Sequence, residues 1–222
     1  MEAVRDRETD VGNNRRERRF KLRGGVVCLD FVNTVGSRLT DRPSEYLRSY
    51  EDLLDWGRQA GLLAPEETEG LSRHAALDPE GAWETLSRAL ALREAIHRLI
   101  SRAIAGEAKD ESDLSALNRE LSIALSHLRV MPADSAYAWG WDRSGDHGGI
   151  LLDSPLWPVA QSAAELLTSP KLGRVKLCAG MGCGWVFVDE SRNTSRTWCD
   201  SRDCGNRERV RRHLARKRAF DQ

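Results

Sequence analysis

Four of the five cysteines fall in two short pairs near the C-terminus. Cys178 and Cys183 enclose four residues, Cys199 and Cys204 enclose four more, and fifteen residues separate the pairs. A tetrahedral ion bound by sulfur at about 2.3 Å requires two short loops that each turn two thiolates inward. Three glycines lie in and beside the first pair, and glycine takes the positive φ that such loops need. The spacing therefore predicts a four-cysteine zinc site.

Other uses of paired cysteines fit the sequence less well. Two disulfides would suit a small secreted protein, but no apolar signal segment is evident at the N-terminus. A redox pair is more often C-x-x-C beside a βαβ pattern, which is absent. Spacing alone does not exclude an iron–sulfur centre, although two separated pairs fit a single tetrahedral ion better. Four thiolates fill the coordination sphere, so the ion is expected to be structural rather than catalytic.

A basic segment follows the last cysteine. Residues 204–218 contain seven Lys or Arg against one Glu, with Val210 and Leu214 at helical spacing on one face. A helix of this kind fits the major groove of DNA, and the planar arginine fork binds both phosphate and guanine edges. An ordinary solvated amphipathic helix is the alternative. The candidate nucleic-acid contacts are Arg207, Arg209, Arg211, Arg212, Arg216, Lys217 and Arg218.

The charge is divided unevenly along the chain. The whole sequence has 34 basic and 34 acidic residues, but residues 171–222 have 13 against 6, which leaves 21 against 28 for residues 1–170. This asymmetry favours a basic module for a polyanion attached to an acidic body. No apolar run is long enough to span a bilayer, which predicts a soluble protein without membrane partners. Thiols held by a metal fit a reducing cytoplasm.

The N-terminal part begins with a charged stretch. Residues 1–19 contain almost nothing to bury and are predicted to be a disordered leader, with order beginning near Phe20. The apolar run 25–35 is interrupted by Asp30 and Asn33, and Cys28 within it is expected to be a small core residue. Together with Arg38, these two polar residues either line a ligand pocket or tie the segment to its neighbours.

The rest of residues 20–170 has helical periodicity. Helices are predicted over residues 44–60, 65–74, 79–105, 111–130 and 154–167. Residues 137–141 and 149–152 are predicted to form a short hairpin around the sequence SGDHGG. This body, residues 20–170, is expected to act in sensing or in dimerisation.

Residues 171–222 are predicted to be a separate small module. Strands are expected at 174–177 and 185–188, with a turn at 189–193. Trp185, Phe187 and Trp198 are expected to pack beside the ion, which should supply most of the stability of so small a unit. A helix starting at Cys204 resembles the treble-clef arrangement. The predicted fold class is therefore mainly α: a helical N-terminal domain with a short β-hairpin, and a treble-clef-like zinc module with a β-hairpin and a basic helix.

The sequence does not indicate an enzyme. His74, His97 and His127 lie on predicted helices without a second ligand three or four residues away, and His147 lies in a glycine-rich loop. There is no nucleophile motif, phosphate-binding loop or carboxylate pair with a defined partner. A small-molecule enzyme or binding protein using Asp30 and its neighbours is the weakest of the functional hypotheses.

Particular motifs resemble a known family. Cys204-Gly205-Asn206-Arg207 matches the CGNR zinc finger, and the W-x-F and S-R-x-W-C patterns before it also fit. LDFVNT at 29–34 and WPVAQSAAELLTSP at 157–170 look like the ABATE domain that accompanies this finger. The resemblance covers nearly all of the chain after the leader. It implies a stress-induced bacterial transcription regulator whose four cysteines bind zinc.

These observations lead to a hypothesis of a zinc-dependent, DNA-binding regulator. An RNA-binding protein is the competing hypothesis, because basic helices and zinc modules also serve RNA. A homodimer is plausible, since one short basic helix per chain is usually duplicated across two half-sites. An unknown small-molecule effector would be the partner of a sensing N-terminal domain.

Overall fold

The computed structural model describes residues 20–108, 110–145 and 150–220, with side chains up to residue 218. The predicted leader, residues 1–19, lies outside the described residues. His147 and most of its glycine-rich loop also lie outside them. Within the described ranges, no helix combines the length and the apolar character needed to cross a bilayer.

Six helices build the N-terminal body. The longest, α4, follows Asp78, whose carboxylate caps it by accepting the Gly81 N–H at 2.9 Å, and it stops at Gly106, which has a φ of 69°. Asp110 caps α5 in the same way through the N–H groups of Ser112 and Asp113. The helices are α1 (Val27–Val32), α2 (Tyr50–Gln59), α3 (Pro65–Leu77), α4 (Pro79–Ala105), α5 (Glu111–Ser126) and α6 (Trp157–Leu167).

The core lies where α6 packs against α1, α4 and α5. Phe31 of α1 meets Trp56 of α2 with ring centroids 4.9 Å apart, and both side chains are fully buried. Trp157, at the start of α6, stacks on His127 at 4.3 Å. Burying several aromatic side chains of this size supplies much of the stabilisation of the body. His127, which is partly buried, thus packs against the aromatic core.

The start of α2 differs from the sequence prediction. Ser44 and Glu45, predicted as the first residues of a helix, form strand β2 (Ser44–Glu45), which pairs antiparallel with β1 (Val35–Gly36). The helix begins at Tyr50 because Ser49 caps it, accepting the Asp52 N–H at 3.1 Å.

One strand of the predicted hairpin is present, but it pairs with a different segment of the chain. Strand β4 (Ala136–Trp141) pairs with β3 (Leu128–Ala133) through a two-residue turn, whereas residues 149–152 were expected to be its partner. Beyond β4, the pairing reduces to a single bridge between Ser144 and Ile150. Helix α5 stops at Ser126 instead of residue 130, and Pro132 soon afterwards is incompatible with a helix interior.

The C-terminal module agrees with the sequence prediction. Strands β5 (Val175–Leu177) and β6 (Val186–Val188) form an antiparallel pair, and helix α7 (Cys204–Phe220) begins at the last cysteine. The mainly helical fold class, with small hairpins and a C-terminal cysteine cluster, is therefore confirmed.

Candidate metal centre

The four paired cysteines converge on one point. Cys178, Cys183, Cys199 and Cys204 are all buried, and their sulfur atoms lie within 4.8 Å of one another. The Sγ atoms of Cys183 and Cys199 are 3.8 Å apart, and those of Cys199 and Cys204 are 3.6 Å apart. Four sulfurs about 2.3 Å from a tetrahedral zinc ion lie about 3.8 Å from one another. The cysteines therefore form a structural zinc site, as the spacing predicted.

The loop between the first two cysteines, residues 178–184, is a tight turn that we call the zinc knuckle. Gly182 and Gly184 have φ angles of 73° and 71°, which side chains other than glycine rarely adopt. A Cβ atom on Gly180 would lie 3.1 Å from the Cys204 sulfur and 3.4 Å from the Cys178 sulfur, and so crowd two of the four ligands. Helix α7 supplies the fourth ligand from its first residue.

Hydrogen bonds reach two of the four sulfurs from groups other than cysteine thiols. The Cys178 sulfur accepts the N–H groups of Gly180 at 3.4 Å and of Cys199 at 3.3 Å. The Cys183 and Cys199 thiols, followed by these two N–H groups, lower the pKa of Cys178, and the hydrogen bonds to Cys178 in turn raise the pKa of the Cys183 and Cys199 thiols. The Arg207 guanidinium donates to the Cys204 sulfur at 3.2 Å, which offsets part of the negative charge of four thiolates around a divalent ion.

Aromatic side chains close the site on one side, as expected. Trp185 and Phe187 are buried beside the cysteines, and Trp198 packs against them. The Trp185 indole donates to the Val35 carbonyl at 2.6 Å, which joins the module to the N-terminal body. The Arg196 guanidinium lies 4.2 Å from the centre of the Phe187 ring.

Arg196 and Asp189 organise the segment between the two cysteine pairs, and sequence reasoning missed both roles. Asp189 has no exposed surface and accepts hydrogen bonds from Lys176, Ser191 and the Arg196 N–H. Burial opposes the charged form, but the hydrogen bonds from Lys176 and Ser191 outweigh it and lower the Asp189 pKa. Arg196 donates to the carbonyls of Trp198, Cys199, Val188 and Arg23. The only local signal was the position of Asp189 directly after an apolar strand.

The zinc knuckle is bonded to the N-terminal body. The N–H groups of Arg38 and Leu39 donate to the carbonyls of Cys183 and Gly182 at 3.0 and 3.2 Å. The His97 imidazole lies 3.3 Å from the Gly184 carbonyl, and burial followed by the nearby Arg38 charge lowers its pKa to about 4. His97 is thus neutral at pH 7 and serves as a structural contact.

The three residues considered for a ligand pocket all have protein partners. Asp30 accepts the Gly24 N–H at 2.7 Å. Asn33 bonds both backbone groups of Val186, at 2.8 and 3.0 Å. Arg38 pairs with Glu94 and donates to the Val32 carbonyl. Each side chain therefore joins two segments of the fold. The three side chains bond to different groups, so their hydrogen bonds do not define a single pocket.

The candidate nucleic-acid contacts all lie on α7 and are exposed. Those near its start are held by neighbours: Arg207 pairs with Asp203, and Arg211 and Arg212 both pair with the buried Glu208. Arg209 donates to the carbonyls of Gly205 and Ser201. Across the described residues, Arg216, Lys217 and Arg218 make no ion pair. Val210 and Leu214, about half exposed, are not covered by the body.

Two family models match the chain. The ABATE model, described as "Putative stress-induced transcription regulator", covers residues 25–170, and the CGNR zinc finger model covers residues 174–217. A comparison with curated proteins gave no match. The first match covers more than half of the 222 residues, and the second includes all four clustered cysteines. The chain therefore belongs to the ABATE family and carries a CGNR zinc finger after its ABATE domain.

Proposed function

We propose that this protein is a transcription regulator that binds DNA through α7, with the zinc ion setting the direction of that helix. The observation that carries the proposal is the position of α7: it begins at the buried ligand Cys204, and every described residue from Arg209 to Arg218 is exposed. The family description of a stress-induced regulator supports the same function.

The dimensions of α7 suit the major groove. Its 17 residues span about 25 Å, and the B-DNA major groove, about 12 Å wide, admits one helix. A helix without cover along most of its length can approach base edges without displacing another element. The helix carries seven basic residues and one acidic residue, a ratio that favours contact with a polyanion.

The ion pairs divide the basic residues into two groups. Glu208 restrains Arg211 and Arg212 near the start of the helix, which limits the side-chain entropy they lose on binding. Arg216, Lys217 and Arg218 extend from the distal end, where flexible cations best reach phosphates. We therefore assign the restrained pair to base edges and the distal group to the DNA backbone.

The salt dependence of DNA binding tests this proposal. If about six phosphates are neutralised, the slope of log K against log salt concentration should be about −5. Replacing Arg216, Lys217 and Arg218 by Ala should reduce the slope by about 3, whereas Arg73→Ala on α3 should leave it unchanged. A slope near zero for the unmodified protein would overturn the proposal.

Hairpin RNA and single-stranded DNA belong in the same titration. Tighter binding to hairpin RNA than to duplex DNA would favour the RNA-binding alternative. Selection from a random duplex pool then identifies the target site. The N-terminal domain, in this proposal, adjusts DNA binding by sensing an effector or by dimerisation and performs no catalysis.

A further inference from the structure

The β3–β4 hairpin exposes an unusual amount of apolar surface. Val130, Tyr137 and Trp139 are 61, 78 and 70% exposed. The strand register places Val130 opposite Trp139 and Pro132 opposite Tyr137, so these side chains share one face of the hairpin. Contiguous apolar patches of this kind on a folded chain mark interaction sites.

The hydrogen-bond pattern shows which backbone groups of the hairpin are free. The Asp142 N–H donates to the His127 carbonyl at 2.9 Å, so this pair of residues is hydrogen-bonded. Bonded and non-bonded pairs alternate in an antiparallel ladder, which makes Val130–Trp139 and Pro132–Tyr137 non-bonded pairs. The backbone N–H and C=O groups of Tyr137 and Trp139 therefore point away from β3.

The two edges of the hairpin differ in their capacity to pair. At the outer edge of β3, Pro132 occupies an outward-facing position and has no N–H to donate. The outer edge of β4 contains no proline and no charged residue, which are the usual means of preventing strand addition. In the described parts of the chain, the β3–β4 sheet has only these two strands. Beyond β4, the Leu151 N–H donates to the Arg143 carbonyl on this same side, so the edge is occupied there and is open to a third strand only between Ala136 and Trp141.

We propose that β4 is a homodimer interface, pairing antiparallel with β4 of a second copy to form a four-stranded sheet. A two-fold axis near Trp139 would place Trp139 opposite Trp139 of the partner subunit and Tyr137 opposite the partner subunit's Trp141. The odd-numbered residues of β4 have backbone groups that point away from β3. These groups then form hydrogen bonds with the same groups of the second copy, across the two-fold axis. This assignment does not depend on what α7 binds.

A second copy fits this edge better than an unrelated partner. Residues 128–141 contain one arginine and one aspartate, so two copies meet without electrostatic repulsion. An aromatic side chain buries 150–250 Å², so Tyr137 and Trp139 from both subunits supply about 600–1,000 Å². Val130, which shares this face, and the paired backbones bring the total to roughly 1,200 Å², where specific interfaces begin. Four paired strands are also more stable than an isolated hairpin.

Sedimentation equilibrium of the full zinc-loaded chain, across about 1–100 µM, tests the proposal. The unmodified protein should associate to a dimer, and Trp139→Lys should weaken association by about 30-fold or more. Trp83→Lys is the matched control, because Trp83 is 69% exposed on α4, away from the hairpin. That variant should dimerise like the unmodified protein.

A backbone variant separates edge pairing from simple apolar contact. Tyr137→Ala removes the side chain and keeps the outward-facing N–H, whereas Tyr137→Pro removes both without removing a β3–β4 hydrogen bond, so it should weaken the dimer more than Tyr137→Ala does. Circular dichroism and zinc content should match those of the unmodified protein in each variant. A monomer at every concentration, an unaffected dimer in Trp139→Lys, or equal loss in Trp83→Lys would each overturn the proposal.

Discussion

At the scale of single residues, Asn33 shows how one side chain joins the two parts of the chain. It is 2% exposed, and its amide donates to and accepts from the same residue, Val186. This pair of hydrogen bonds resembles those between neighbouring strands. Asn33 therefore satisfies the backbone N–H and C=O of Val186 at one edge of β6. A buried backbone N–H and C=O would otherwise have no partner.

We predict that Asn33→Ala destabilises the protein by about 2–4 kcal/mol, because it removes two buried hydrogen bonds and leaves the Val186 backbone unpaired. Asn33→Asp should cost more, since a carboxylate cannot donate to the Val186 carbonyl and its charge would be buried. Urea unfolding measures both free energies. Asn118→Ala, at an exposed position on α5, is the control and should change stability by less than about 0.5 kcal/mol.

The sequence made the metal ligands and the aromatic side chains beside them predictable, but not the side chains that join the zinc module to the N-terminal body. The cysteine pairs lie within 27 consecutive residues, and their spacing reflects the local geometry of a tetrahedral ion. Asn33 is separated from Val186 by 153 positions, and no local pattern reports such a contact. Asn33 was predicted either to line a ligand pocket or to tie its segment to its neighbours, without a named partner. The division into residues 20–170 and 171–222 stays a prediction.

At the scale of structural elements, the zinc knuckle must fit two surfaces at once. One side of it holds the sulfurs, and the other lies against the segment 37–40 of the body. A Cβ atom on Gly184 would lie 2.8 Å from the Arg38 Cβ and 3.0 Å from the Leu39 Cγ. Glycine is therefore required at position 184 for two reasons: the backbone has a positive φ, and the neighbouring side chains leave no room for a Cβ atom.

Gly184→Ala should destabilise the protein by at least about 2 kcal/mol, because positive φ costs a non-glycine residue 1–2 kcal/mol and the clash adds to it. Thermal unfolding followed by circular dichroism measures the loss. Gly173→Ala is the matched control, since a Cβ atom there has nothing within 4 Å, and it should be close to neutral. Equal melting temperatures for the two variants would contradict the close packing of the zinc knuckle.

Elements with strong local signals were predicted correctly, and those set by distant pairing were not. Helix α4 has a proline at its first position and a glycine after its end, which define a helix within one stretch of sequence. Strand β4 was recognised, but its partner was placed on the wrong side because Leu128 continued the helical spacing of Leu121 and Leu125 in α5. Pro132 was the neglected signal.

At the scale of the whole molecule, the zinc module and the N-terminal body share their hydrogen bonds. The Val188 N–H donates to the Gly24 carbonyl at 2.8 Å, and the Arg196 guanidinium donates to the Arg23 carbonyl at 3.0 Å. Two partly exposed ion pairs, Lys21–Asp203 and Arg23–Asp200, join the same segments and contribute less. The direction of α7 is thus fixed relative to the body as well as to the ion.

Loss of the metal should therefore disturb a limited but defined part of the body. Cys199→Ser, or a chelator, should abolish zinc binding, release α7 and weaken duplex DNA binding, because the ion supplies folding free energy to the module. Hydrogen exchange should show lost protection at the Arg38, Leu39 and Val188 amides, which bond across the boundary. Amides of α4 and α6, which lie in the apolar core, should stay protected.

Cys28→Ala provides the control for this experiment. Cys28 is buried in the apolar core, and burial raises the pKa of its thiol to about 12, so it neither binds the ion nor reacts readily. This variant should keep about one zinc ion per chain and the protection of all three boundary amides. If metal-free protein retained that protection and its DNA affinity, the ion would not determine the position of α7. If the amides of α4 and α6 exchanged as well, zinc would instead support the folding of the entire chain.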